Sequence, residues 1–297
     1  MATEDIDPRV TDIDAWPMAA AMEAMWDGQI SAVAAVRSAL PALTAATIAA
    51  SEALGETGRL IYVGAGTSGR IGVQDGAELT PTFDWPMRRT IFAIAGGQGA
   101  LINSVEGAED NADDGVRQID AARAGSTDVV LGIAASGTTP FTVAAVRRAT
   151  ERGAVTIGIA NNVGAPLLSA ARFPVLIETG SELIAGSTRM KAGTAQKVAL
   201  NLISTGIMLR LGRVYGGMMV NMRASNAKLE IRARDMVARI ATCDEAQAAR
   251  ALEMADGDIK SAVLIANGCG RDEATALLAK SKGNLRLALS TRTKRRS

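Results

Sequence analysis

The chain has 297 residues, 48% hydrophobic, 21% charged and only 3% aromatic, the composition of a folded soluble protein of one large or two modest domains. Lys and Arg number 32 against 31 Asp and Glu, so a net charge of +1 gives no reason to expect nucleic acid or an anionic membrane as partner. Histidine is absent, which removes Ser-His-Asp and Cys-His nucleophile systems, His metal sites and the usual general base near neutral pH.

Acid–base chemistry therefore falls to carboxylates, Lys, Tyr or Cys. The two cysteines, Cys243 and Cys269, are too few for a disulfide framework or a four-thiolate zinc site and read as buried structural thiols. The start of the chain is acidic and polar, unlike a signal peptide. The longest uncharged stretch, residues 38–51, contains Pro41 and falls short of the ~20 apolar residues of a spanning helix. A cytoplasmic protein without a membrane partner is expected, and the basic tail Arg292, Lys294, Arg295 and Arg296 reads as a solvated end.

Residues 1–50 read as a helical segment, Ala-rich with apolar residues at helical spacing from Asp27 onward. Short aliphatic runs then alternate with helical stretches. Strands are predicted at 59–63, 90–95, 128–134, 155–160 and 173–177, each followed by Gly, Ser, Asn or another turn signal, with a helix at 142–152. Such alternation predicts an α/β domain over 51–215, a doubly wound parallel sheet of five strands with helices on both faces. Long helices are expected at 187–211 and 218–240, the second connecting to a small three-helix C-terminal domain at 241–297 with breaks at Gly257, Gly268 and Gly283.

The chemistry-bearing residues follow the strands. After the first comes Gly64-Ala65-Gly66-Thr67-Ser68-Gly69-Arg70. Its glycine spacing fits a dinucleotide loop, but the second strand ends Ala95-Gly96-Gly97, without the acidic residue that binds ribose hydroxyls, and Asp84 lies in a loop. Arg70 and Ile71 stand where a Walker A loop carries Lys and Ser/Thr. A glycine turn that only packs helix on sheet is a further alternative. The remaining one is a phosphate cradle of N–H groups and the hydroxyls of Thr67 and Ser68 at a helix N-terminus. The third strand supports the cradle, ending Ser136-Gly137-Thr138-Thr139-Pro140. In a sheet ordered 2-1-3-4-5 both loops meet at the topological switch point, where open α/β sheets bind ligands. Two carboxylate segments lie beyond strands one and two: Asp75-Gly76-Ala77-Glu78, and Glu106-Gly107-Ala108-Glu109-Asp110. In a chain without histidine, a carboxylate pair is the natural acid–base set.

Together these segments, with Glu182, Gly186-Ser187-Thr188-Arg189-Met190-Lys191 and the N-terminal Thr3-Glu4, resemble the sugar isomerase (SIS) domain of the N-acetylmuramic acid 6-phosphate etherases, a family related to the glucokinase regulatory protein. The likeness covers nearly the whole chain. It departs at Leu79-Thr80, where the family usually carries Cys-Pro. The resemblance implies a lyase of cell-wall sugar recycling that releases D-lactate by deprotonation at C2, elimination and water addition. It implies Glu78 as proton donor and Glu109 as base, with their pKa values split by burial or mutual proximity. Gly66, Thr67, Ser68, Ser136, Gly137, Thr138 and Thr139 would hold the 6-phosphate, and Glu182, Ser187 and Lys191 would lie near the sugar. The resemblance implies no metal or cofactor, a small sugar phosphate as ligand, and a homodimer. A sugar-phosphate-binding regulator and an aldose–ketose isomerase on the same fold are the alternatives. For Glu182, Ser187 and Lys191 a helix cap and solvated helix face weigh equally.

Overall fold

The computed structural model describes residues 2–296 except Ser225, without the side chains of 293–296. The expected solvated end at Lys294, Arg295 and Arg296 therefore lies outside the described residues. Two compact units emerge, the first made of Met1–Ala77 and Met87–Gly206, the second of Glu78–Pro86 and Ile207–Ser297.

The first unit holds a five-stranded sheet of β1 (Leu60–Gly64), β2 (Thr90–Ile94), β3 (Val129–Ile133), β4 (Val155–Ala160) and β5 (Phe173–Leu176), ordered β2-β1-β3-β4-β5 and parallel throughout. Every residue of β1, β3 and β4 is buried, as their unbroken aliphatic runs require of strands covered on both faces. Ile61, Val63 and Val130 join the core under α4 (Ala112–Ala122) and α5 (Pro140–Glu151). Tyr62 turns to the opposite face, where its hydroxyl donates to Asp75 at 2.8 Å on α3 (Gly66–Phe83).

The N-terminal helices α1 (Met18–Ala35) and α2 (Leu40–Leu54) are joined by a 3-10 turn. They are part of this unit rather than a segment of their own, because α2 buries Leu43, Ala46, Ala50 and Leu54 and packs on β3, β4 and β5. One expectation is corrected here. By length and composition the run Met18–Leu54 is long and apolar enough to cross a membrane: it has 37 residues and contains an 18-residue window of mean hydropathy 1.5, 28% of it buried. The sequence expectation rested on an uncharged stretch, whereas a helical window that tolerates a charge or two is longer. α2 is nonetheless a core helix. α1 exposes Met18, Met22, Trp26, Ile30 and Val33, one stripe at helical spacing.

Two long helices start later than expected. α7 (Lys191–Arg210) begins at Lys191 rather than at 187, because Glu182 accepts the N–H groups of Lys191 and Ala192 at 2.8 and 2.9 Å and so fixes its first turn. α8 (Ala227–Ala241) begins at its cap Asn226, whose side chain accepts from Leu229 N. The apolar pattern before it belongs to a turn, anchored by the buried Val220 and Met222.

In the second unit α8 packs with α9 (Glu245–Met254) and α10 (Ile259–Ala266), followed by α11 (Arg271–Lys280) and α12 (Leu285–Arg296). Gly257, Gly268 and Gly283 all adopt positive φ, of 81°, 88° and 71°, and these breaks separate four helices rather than the three expected. Cys269 is buried and Cys243 half-buried, and neither is in a disulfide.

Lys260 gives this unit a pH dependence. It is 5% exposed and donates to the Gly283 carbonyl at 2.6 Å. Burial, aided by the charge of Arg213, holds its ammonium down to about 8. Between pH 8 and the ordinary lysine value of 10.5 the folded state holds fewer protons than the unfolded one, so stability rises with pH across that window. At ~1.4 kcal/mol per pKa unit the penalty below it is at most of order 3 kcal/mol. Lys260→Met should abolish the rise. Melting wild type and variant at about pH 7.5 and about pH 10 checks this, and identical pH responses would refute it.

Candidate active site

Three glycines make the first loop. Gly64 ends β1 and Gly69 lies in α3, and a Cβ on either would come within 2.9 Å of the other's backbone, so only glycine lets strand and helix meet this closely. Gly66 between them takes φ +52°. The loop Ala65–Ser68 thereby brings the start of α3 over the end of β1. The third-strand loop is built likewise. Gly137 has φ +69°, and a Cβ there would lie 2.4 Å from that of Ala165. Its carbonyl accepts Leu167 N at 3.0 Å, and Pro140 opens α5 directly after Thr139.

As the strand order requires, the two loops face one cavity of about 410 Å³. Its wall includes Gly66, Thr67, Ser68, Ser136, Thr138 and Thr139, together with Glu109, Asp110, Glu4, Gly186 and Thr188. A second cavity of about 300 Å³ shares Ala65, Gly66, Thr67 and Glu109 with the first and adds Arg70, Asn103, Ser104 and Glu106. Glu109 thus stands in the common wall. The turn of Gly107, at φ +68°, leads into the short 3-10 helix Ala108–Asp110 that presents it, and Asn111 caps α4 immediately afterwards.

The hydroxyls differ in what they have left to give. Ser136 Oγ accepts from Thr138 N at 3.2 Å and from Thr138 Oγ1 at 3.0 Å, which leaves its own proton for a ligand. Ser68 is buried and donates to Gln196 Oε1 at 2.9 Å. Gln196 continues to Asn161 Oδ1 at 3.0 Å, and Asn161 Nδ2 to the Ile177 carbonyl at 2.9 Å. Ser68 therefore fastens the first loop to α7 and β4, and its proton is already engaged.

Other expected residues lie elsewhere. Glu182 is fully buried, with both oxygens engaged at the start of α7, and Lys191 Nζ donates to the Ser181 carbonyl at 2.8 Å. Neither lines these two cavities, nor does Ser187, whose carbonyl takes Met190 N in the turn before α7. The expected cap at Ser187 is made by Glu182 instead, and Glu182 and Lys191 are buried rather than on a solvated helix face. Glu78 is exposed on α3 and falls in the second unit. Asp75, from the same segment, is a core residue. It accepts from Tyr62 Oη, Asn201 Nδ2 and Ser204 Oγ at 2.8, 2.7 and 3.0 Å, and burial raises its pKa although those bonds oppose it. Asp84, the acid a dinucleotide loop would need, pairs with Arg223 at 2.6 Å in the second unit.

The N-terminus is a contributor that residue patterns did not mark. Thr3 is wholly buried, and its N–H and hydroxyl bond Asn162 at 3.3 and 2.9 Å. Gly186 N donates to the Thr3 carbonyl at 3.1 Å. These bonds hold Glu4 in the cavity wall, and a long separation in sequence hid them. Among the described residues no group of three or more Cys, Asp and Glu side chains could hold a metal ion.

The family model of the glucokinase regulatory protein N-terminal SIS domain matches residues 43–151. The N-acetylmuramic acid 6-phosphate etherase of Deinococcus radiodurans is 49% identical over 97% of this chain and 94% of its own length. That of Streptomyces avermitilis is 41% identical over 98% and 94%. A solved phosphoheptose isomerase from Francisella tularensis, 19% identical, shares the fold with a TM-score of 0.50 over 66% of this chain and 98% of its own.

Proposed function

The chain belongs to the N-acetylmuramic acid 6-phosphate etherase family, and from that premise we propose how its cavities serve the reaction. The protein is a carbon–oxygen lyase that cleaves the D-lactyl ether of N-acetylmuramic acid 6-phosphate to N-acetylglucosamine 6-phosphate and D-lactate. One observation carries our reading of the site: the two hydroxyl-and-glycine loops of the switch point share a cavity with the carboxylate of Glu109.

In this reading Thr67, Ser136, Thr138 and Thr139, with the N–H groups of the loops, hold the 6-phosphate, and Ser68 and Gly137 shape the loops. Ring opening exposes the C1 aldehyde and makes the C2 proton acidic. Glu109 removes that proton, the C3–O bond breaks, and lactate leaves with a proton from Glu78. Water adds at C3 and returns its proton to Glu78, while Glu109 reprotonates C2, so both glutamates are restored. The exposed stripe Met18–Met22–Trp26–Ile30–Val33 supports a homodimer. A sugar carrying both a phosphate and a carboxylate does not cross a bilayer unaided, which favours cytoplasm as the site of action.

The test is release of D-lactate from N-acetylmuramic acid 6-phosphate in deuterium oxide, with and without EDTA. Lactate release in both, with solvent deuterium at C2 of the product, is expected. Absence of lactate refutes the etherase reading, and lactate without deuterium refutes elimination.

A further inference from the structure

The substrate of this reaction is an anion at both ends, with a phosphate on C6 and the carboxylate of the lactyl group on O3. The first cavity offers N–H and hydroxyl donors and no basic side chain. Among the described residues Arg70 is the only cation lining either cavity. Its Nε and Nη2 both donate to the Ala100 carbonyl, at 3.3 and 3.0 Å, which fixes the guanidinium plane. Among the described residues no carboxylate forms an ion pair with it, although Glu106 and Glu109 line the same cavity. A guanidinium carries five N–H donors, so a half-buried one held by a single carbonyl keeps donors for an anion. Its planar fork suits a carboxylate in particular.

Resting on the etherase reading, we propose that Arg70 is the specificity-determining residue that binds the lactyl carboxylate in the second cavity. The phosphorylated sugar then fills the first cavity and the lactyl arm the second. The ether linkage lies at the wall they share, where Glu109 stands. Arg70 also offsets the repulsion that Glu106 and Glu109 would exert on an incoming carboxylate. Because Arg70 meets a group that keeps its charge throughout, it acts on KM more than on kcat.

The experiment compares a ligand with the lactyl arm and one without it. Arg70→Met should lower kcat/KM for N-acetylmuramic acid 6-phosphate by roughly 10- to 100-fold, the loss of a charge-assisted hydrogen bond, mostly through KM. Calorimetric binding of N-acetylglucosamine 6-phosphate, which lacks the arm, should change by less than about twofold, and this also verifies an intact fold. Arg70→Lys keeps the charge but loses the fork, and should recover part of the activity. Equal losses for the two ligands would assign Arg70 to the phosphate or to the fold and overturn the proposal, as would an unchanged kcat/KM. Should wild-type protein release no lactate, the etherase reading fails. Arg70 is then judged by binding alone: a preference for the lactyl-bearing sugar that Arg70→Met abolishes upholds the proposal, and no such preference overturns it.

Discussion

Glu109→Gln should lower kcat for lactate release by about 10²–10⁴, the range for losing a general base, with KM little changed. The substitution is nearly isosteric and falls on an exposed side chain at a cavity wall, so the fold has no reason to respond. The amide cannot accept the C2 proton, and the chain has no histidine to take over that role. Exchange of the C2 proton with solvent should fall together with lactate release. Glu78→Gln should behave differently. It should slow lactate departure by a similar factor while C2 exchange persists, because the acid acts after the base. Measuring both rates in both variants separates the roles. Near-wild-type turnover in Glu109→Gln would remove it from the mechanism, and loss of exchange in Glu78→Gln would reverse the assignment.

The sheet was legible because each strand carries a local signal. An unbroken aliphatic run between turn residues, repeated with helices between, admits few arrangements besides a parallel sheet covered on both faces, and the switch point follows from the order. The hydroxyl loops were legible for the same reason, since glycines at 64, 66, 69 and 137 mark the turns that present them. What stayed hidden was how each polar group is engaged. Nothing near Ser68 in sequence announces Gln196, 128 positions away, and nothing near Glu182 says that its carboxylate is buried on the N–H groups of Lys191 and Ala192. Thr3 and Asn162 are 159 positions apart. The boundary errors have a similar origin. The stretch before Ala227 is apolar because Val220 and Met222 anchor a turn in the core, and apolar spacing alone cannot tell an anchored turn from a helix.

The second large effect concerns the phosphate. Unphosphorylated N-acetylmuramic acid should be turned over with kcat/KM reduced by about 10³ or more. A phosphate in the first cavity meets several donors, and each hydrogen bond to a charged group contributes about 1.5–3 kcal/mol, so losing two or three of them suffices. The loss should appear in kcat as well as KM, because binding a group remote from C2 and C3 orients the reacting carbons against Glu109. Ser136 supplies the internal check. Its oxygen already accepts two hydrogen bonds from Thr138, so its proton is the donor most clearly free for the ligand. Ser136→Ala should cost roughly 10- to 100-fold with the phosphorylated sugar and little with the unphosphorylated one. The two changes are coupled because they remove the same contact from opposite sides. If Ser136→Ala impaired both sugars equally, the serine would be shaping the loop and the phosphate would rest on other donors. Equal kcat/KM for the two sugars in wild-type protein would refute the cradle altogether.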